Sequence, residues 1–237
     1  MNAMIFAAGR GTRLGELSLT TPKALMEVGG KSMLERTVEF IASYGFNRVI
    51  VNIHHLPDKM EDEIAALRLK GHAIAVSSEK DLLLDTGGGL FKAKDFFGDE
   101  PFLLFNVDIL TDIDLHGMFQ SHKKSGALAT LALRNREGSR FFLVDAGGRL
   151  AGRKNRATGE EIIPGEAKAG LREAGFSGIH IVNPEIFDLM HNGVYSLTRL
   201  YLELCSRHFI GSYFHDEGLW LDVGTPEKLE EARKMFL

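Results

Sequence analysis

The first 133 residues alternate between two spacings of apolar positions. Short apolar runs bounded by turn residues predict strands at Asn2–Ala7, Arg48–Ile53, Ala73–Ser77, Phe102–Val107 and Ala127–Leu133. Between them apolar residues recur at helical spacing. In Ser32–Tyr44 these are Met33, Leu34, Val38, Phe40 and Ile41. Ser32 and Glu35 form a capping box that opens this helix, and Gly45 suits the left-handed residue that closes it. Pro57 opens a second helix ending near Gly71, and Leu90–Phe97 and Leu115–Lys124 supply two more. Strands alternating with helices predict a largely parallel sheet covered on both faces by right-handed crossovers.

After Arg134 the spacing changes. Phe141–Asp145 and Arg149–Ala151, joined through Gly147-Gly148, predict a hairpin, and Asn155–Leu171 is polar and glycine-rich. Phe176–Val182 resumes a strand. Asn183-Pro184 opens a helix, Leu197–His208 forms another, and Leu219–Val223 is a late strand. Thr225-Pro226 caps a terminal helix through Met235. No internal repeat or linker interrupts the chain. It reads as one domain over residues 1–237, with 134–175 an irregular pocket wall or lid.

Composition narrows the partners. A formal net charge of -4 argues against nucleic acid, whose binding needs a basic face to displace counterions. It leaves nucleotides open, since a few local cations and a metal ion suffice for them. The single cysteine, Cys205, excludes an intramolecular disulfide framework and fits a reducing compartment. Apolar Met1–Ala8 runs into a glycine loop without a basic leader and is too short to span a membrane, so a cytoplasmic location is expected.

Four segments carry candidate chemistry. Ala7-Ala8-Gly9 leads from the first strand into Gly11-Thr12, where glycines let backbone N–H groups approach an anion. Arg13 adds a planar cation suited to phosphate, and Lys23 after Pro22 a more mobile one. The dinucleotide fingerprint would need glycine at Leu14, and Gly30-Lys31-Ser32 lacks the earlier glycine of a P-loop, where Leu25 stands. Asn106-Val107-Asp108 ends the most apolar strand, placing Asp108 where open α/β sheets bind ligands and where a carboxylate can hold Mg²⁺. Asp112 and Asp114 suit capping better. Asp222 sits among apolar residues before a capped helix, a setting that calls for an ion-pair partner or a metal. Asp85-Thr86-Gly87-Gly88-Gly89 leaves room for a flat ligand or forms a flexible turn. His54-His55 would point to opposite faces, and no spacing matches zinc.

Taken in order, these segments resemble the sugar-1-phosphate nucleotidyltransferase family. The resemblance rests on Ala7-Ala8-Gly9-Arg10-Gly11-Thr12-Arg13-Leu14, Thr21-Pro22-Lys23, Thr86-Gly87-Gly88, Asn106–Asp108, Phe176-Ser177-Gly178-Ile179 and Asp222-Val223-Gly224-Thr225-Pro226, and spans nearly the whole chain. It implies an α/β/α Rossmann-like core with a mixed, mostly parallel sheet and a small β-rich sugar-pocket insertion. It implies transfer of a nucleoside monophosphate from an NTP to a sugar 1-phosphate, with Mg²⁺ held by Asp108 and Asp222. Ala7, Ala8, Gly9, Gly11, Thr12, Arg13 and Lys23 would grip the nucleotide phosphates, with Arg13 and Lys23 also catalytic. Gly87 and Gly88 would line the base pocket, and Asn106, Asn155, Ser177 and Gly178 the sugar site. Val107 stands where close relatives often carry glycine, and the family's Glu-Lys sugar-phosphate element is replaced, if at all, by Arg153-Lys154-Asn155. The length looks most like the compact uridylyltransferases of N-acetylmuramate 1-phosphate, which favours UTP and a role in the cell envelope. Mannose- and heptose-1-phosphate guanylyltransferases, using GTP, come next. Cytidylyl transfer from CTP to a non-sugar phosphate and a non-catalytic nucleotide-sugar sensor are the remaining alternatives. The oligomeric state stays open between monomer and dimer.

Overall fold

The computed structural model describes residues 1–165 and 170–236. The stretch 166–169 of the expected polar segment lies outside the described residues. Strands β1 (Asn2–Phe6), β4 (Arg48–Ile53), β5 (Ala73–Ser78) and β6 (Phe102–Asn106) lie where the apolar runs predict them. They pair in parallel in the order β5-β4-β1-β6. The small hairpin β2 (Glu27–Val28) and β3 (Lys31–Ser32) stands apart.

Beyond β6 the sheet turns mixed. β12 (Arg172–Val182) runs antiparallel both to β6 and to β8 (Ala129–Arg134), and β13 (Ile210–Phe214) extends β8 in parallel. The first half of β12 diverges to pair with β9 (Arg140–Val144), which carries β10 (Leu150–Asn155) and β11 (Glu161–Ile162). This antiparallel branch is the β-rich insertion. β7 (Ile109–Thr111) and β14 (Trp220–Asp222) form a two-stranded ribbon.

Alternation along β1 puts Ala3 and Ile5 into one hydrophobic cluster and Met4 and Phe6 into the other. The first cluster receives the apolar faces of α2 (Met33–Ser43), α3 (Pro57–Leu69), α5 (Leu115–Ser125) and α7 (Pro226–Met235). The second receives Leu90 of α4 (Asp85–Lys92) and Leu197, Leu200 and Tyr201 of α6 (Leu197–Leu204). The fold is therefore the three-layer α/β/α sandwich that the resemblance implies. A short helix α1 (Leu17–Thr20) comes after the glycine loop.

The helix signals hold in their chemistry. Ser32 Oγ accepts from the Glu35 N–H at 3.0 Å, although the Glu35 carboxylate turns to Lys70 instead of completing the box. Gly45 adopts φ +86°, and Asp114 and Thr225 cap α5 and α7. Lys31, the P-loop mimic, is held by Glu39. Four expectations need correction. Gly87–Gly89 lie inside α4, which begins at Asp85 and not at Leu90. Pro184–Leu189 is a 3₁₀ turn and not an α-helix. The segment expected as the end of a helix through His208 closes at Leu204, and β13 comes next. β10 runs on to Asn155, where a polar loop was expected.

Candidate active site

The C-terminal ends of four adjacent parallel strands open onto one cleft of about 510 Å³. β1 delivers Ala7, Ala8, Gly9, Gly11, Thr12 and Arg13; β4 delivers Asn52, β5 Glu79, and β6 Asn106, Val107 and Asp108. This is the carboxyl-end crevice where open α/β sheets bind ligands. Gly11 takes φ +63°, a conformation open to glycine at low cost, and a Cβ there would come within 3.3 Å of Lys23 Cβ. That close approach sets Lys23 beside the loop.

An ionic cluster lies at one end of the cleft. Lys23 Nζ pairs with Asp108 Oδ2 and lies 3.7 Å from Asp222 Oδ1. Arg13 Nη2 reaches the other Asp222 oxygen at 3.4 Å. The Lys23 side chain is only 12% exposed and Asp108 17%, against 33% for Asp222 and 60% for Arg13. Backbone bonds fix both carboxylate-bearing residues: the Val223 N–H donates to the Asp108 carbonyl at 2.9 Å, and the Gly224 N–H to Asp222 Oδ1 at 2.8 Å. Arg13 and Asp222, 209 positions apart in sequence, are thereby held together. Two carboxylates sharing one cation form a donor set suited to Mg²⁺, which is bound through one or two carboxylates plus substrate phosphates. Among the described residues no group of three or more His, Cys, Asp or Glu converges as a closed metal cage.

Across the cleft stands a polar relay that pattern reading missed. The Ala7 N–H donates to Asn52 Oδ1 at 2.8 Å, Asn52 Nδ2 donates to Glu79 Oε1 at 2.8 Å, and the Leu84 N–H donates to Glu79 Oε2 at 2.8 Å. Glu79 is 1% exposed and lines the cleft. Its carboxylate ties the start of the glycine loop to the start of α4. Asp85, the next cleft residue, is a non-glycine at φ +58°, and its Oδ1 accepts from the Thr86 N–H at 2.6 Å. Such left-handed strain concentrates at functional sites.

A family model described as "Nucleotidyl transferase" matches residues 2–237. The chain belongs to that family. It is 33% identical to the N-acetylmuramate alpha-1-phosphate uridylyltransferase of Neisseria meningitidis serogroup B, covering 99% of this chain and 98% of that one. It is 30% identical to the mannose-1-phosphate guanyltransferase of Yarrowia lipolytica, covering 100% of this chain and 64% of the other. The fold matches HddC from Yersinia pseudotuberculosis complexed with GMP-PN (TM-score 0.79, 19% identity, all of this chain and 99% of that one). It also matches a UDP-glucose pyrophosphorylase complexed with UDP-glucose (TM-score 0.75, 18% identity, 100% and 98% coverage).

The structure brings most of the expected nucleotidyltransferase residues together and displaces a few. Ala7, Ala8, Gly9, Gly11, Thr12, Arg13, Lys23, Asn106 and Asp108 line the cleft, and Asp222 joins them through Lys23. Gly87 and Gly88 do not line it. Their N–H groups donate to the Tyr195 carbonyl at 2.8 and 3.3 Å, and a Cβ on either would collide with the 193–195 segment. The space expected for a flat ligand is filled by the protein's own backbone, while Thr86 faces the cleft. Gly178, at φ +80°, packs on Asn106, and Ser177 lies behind it, bonded through Oγ to His215 Nε2 at 2.7 Å. Asn155 lies away from the cleft, its Oδ1 accepting from the Ala157 N–H at 3.1 Å. Arg153 pairs with Glu160, and Lys154 with Glu173, on the outer branch.

Proposed function

We propose that the chain transfers a nucleoside monophosphate from an NTP to a sugar 1-phosphate, releasing pyrophosphate, with UTP and an amino-sugar 1-phosphate such as N-acetylmuramate 1-phosphate as its pair. The observation that carries the reaction is the junction of the glycine loop with the Lys23–Asp108–Asp222 cluster at the strand ends. The pair is supported by full-length similarity to the Neisseria uridylyltransferase. A place in nucleotide-sugar supply to the cell envelope, in the cytoplasm, belongs to the same reading. Among the described residues no helix is long and apolar enough to cross a membrane.

The acceptor phosphate has a second pKa of about 6 and is mainly a dianion at neutral pH, so it attacks the α-phosphorus without a protein base. The task left to the protein is to align two mutually repelling anions and to neutralise the charge that builds between them. Asp108 and Asp222 would hold Mg²⁺, which when bound offsets charge shared by the two phosphates. Lys23, largely enclosed and pinned by both carboxylates, holds its ammonium at the loop's edge with little freedom to lose. Arg13, the exposed cation, suits the outer phosphates that leave as pyrophosphate.

One observation favours a second pair, GTP with mannose or heptose 1-phosphate. Glu79 lies three strands from the Asp108 end, roughly 14 Å at the usual strand spacing. A carboxylate oxygen can accept from a base's N–H groups, and guanine offers a wider donor edge than uracil. A matrix of four NTPs against a panel of sugar 1-phosphates, read as pyrophosphate release with Mg²⁺, decides between them. UTP with an amino-sugar phosphate is expected to lead. GTP leading would transfer the assignment to the second pair, and release from no pair would refute both.

A further inference from the structure

A second cationic cluster lies just beyond Asp222. Arg134 ends β8, Arg136 stands two residues later, and both guanidinium groups stack toward the ring of Trp220, at 5.9 and 5.1 Å from its centroid. The ring is fixed because Trp220 Nε1 donates to the Ser177 carbonyl at 3.0 Å. Arg136 lies in the space that a Cβ on Gly175 would occupy. Burial holds the Arg136 guanidinium below its ordinary value; Asp222 acts against this, and the like charge of Arg134 adds to it. Two like charges placed side by side, partly out of water, cost stability unless an anion offsets them.

The hydrogen bonds of this pair leave donors over. Arg134 Nη2 donates to the Asp216 carbonyl at 3.2 Å, and Arg136 Nη1 to the Glu137 carbonyl at 3.1 Å. Arg136 Nη2 reaches the Phe176 carbonyl only at 3.5 Å. The nearby carboxylate of Asp216 is taken by the Asn135 N–H and by Arg172. Arg134 Nη1 and Arg136 Nε are buried and have no partner among the described residues. Buried donors left unpaired are costly, and in native proteins they mark a missing partner.

We propose that Arg134 and Arg136, seated on Trp220, form the subsite that binds the acceptor's phosphate. The proposal rests on the nucleotidyl-transfer reading. A phosphate dianion matches the two adjacent positive charges and offsets their mutual repulsion. The location fits, since Asp222 lies two residues from Trp220, pairs with Arg13 and is close enough to act on the charge of Arg136. It also fills the role that Arg153-Lys154-Asn155, tied up on the outer branch, leaves vacant.

Trp220 is the chain's only tryptophan, so its emission reports on this part of the molecule. Inorganic phosphate and glucose 1-phosphate, titrated without NTP or Mg²⁺, are expected to change that emission saturably, while glucose is not. In the Arg134→Gln/Arg136→Gln double variant the phosphate Kd and the KM for sugar 1-phosphate are each expected to rise at least ~10-fold, with the KM for NTP within about 2-fold. The single Arg136→Lys variant, which keeps charge and stem, should show a smaller rise in the same two constants and serves if the double variant does not fold. No emission change with wild-type protein, or acceptor constants unchanged in the variants, overturns the subsite. Nucleotidyl transfer itself fails separately, by the absence of pyrophosphate release from any substrate pair while phosphate still titrates Trp220.

Discussion

The two ends of the site are built differently. At the glycine-loop end, each functional side chain is delivered by the terminus of a parallel strand, and its partner is a backbone group or an opposite charge nearby. At the acceptor end, Arg134, Ser177 and Trp220 come from β8, β12 and β14 and Arg136 from the segment just after β8, and their geometry exists only once antiparallel β12 is inserted into a parallel sheet. The first end is nearly self-sufficient in charge. The second carries like charges and two buried donors without a partner among the described residues. One end is organised around paired charges for the reaction, the other around paired cations for seating the acceptor's phosphate.

The largest effect should come from the first end. Asp108→Ala or Asp222→Ala is expected to reduce pyrophosphate release to background at saturating Mg²⁺ with every acceptor tested, because each removal breaks the shared carboxylate pair. Near-normal turnover in either variant would sink the metal assignment. Lys23→Ala should lower kcat at least ~10²-fold, the scale of losing one electrostatic donor to a transition state. A change confined to KM would make Lys23 a binding group and blur the contrast between the ends.

Glu79→Ala is expected to act more mildly and on the nucleotide. It leaves the Asn52 amide and the Leu84 N–H without their acceptor, a cost of about 1–3 kcal/mol per buried donor. Steady-state kinetics should show the KM for NTP rising ~10-fold with the acceptor KM unchanged. A rise in the acceptor KM instead would join Glu79 to the other end.

The last effect is on stability and not on activity, and concerns the strand on which the second end depends. His180 of β12 is buried, with Nδ1 2.8 Å from the Tyr201 hydroxyl, and burial pulls its pKa down to about 3. The unfolded chain protonates this histidine near its ordinary value of about 6.5, while the folded one refuses the proton. Its contribution is therefore intact above that value and is lost as pH falls from there toward 3, by about 1.4 kcal/mol per pH unit. Urea midpoints between pH 7 and pH 5 should fall less in His180→Gln than in wild type. Equal falls would mean that His180 takes up its proton in the folded state.

The same contrast governs how far the site could be read from sequence. Gly11, Arg13, Lys23 and Asp108 were legible because apolar runs end abruptly where parallel strands leave a sheet, and local chemistry decides the turn that comes next. Asp222 was legible as a carboxylate stranded among apolar neighbours. Gly87 and Gly88 were harder to place because glycine in a turn and glycine under a crossing backbone have the same composition; only the Tyr195 carbonyl distinguishes them. Glu79 had one signal, an acid directly after a strand, but its burial depends on Asn52 and Leu84. Arg134 and Arg136 carried no signal of their own, since nothing local reveals that Trp220 will lie beneath them.

The most direct test of the central claim is pyrophosphate release from NTP and Mg²⁺ measured with and without sugar 1-phosphate. Release should require the acceptor and match nucleoside-diphosphate-sugar formed one for one. Release that proceeds equally without the acceptor, or none with any acceptor in the panel, would contradict it.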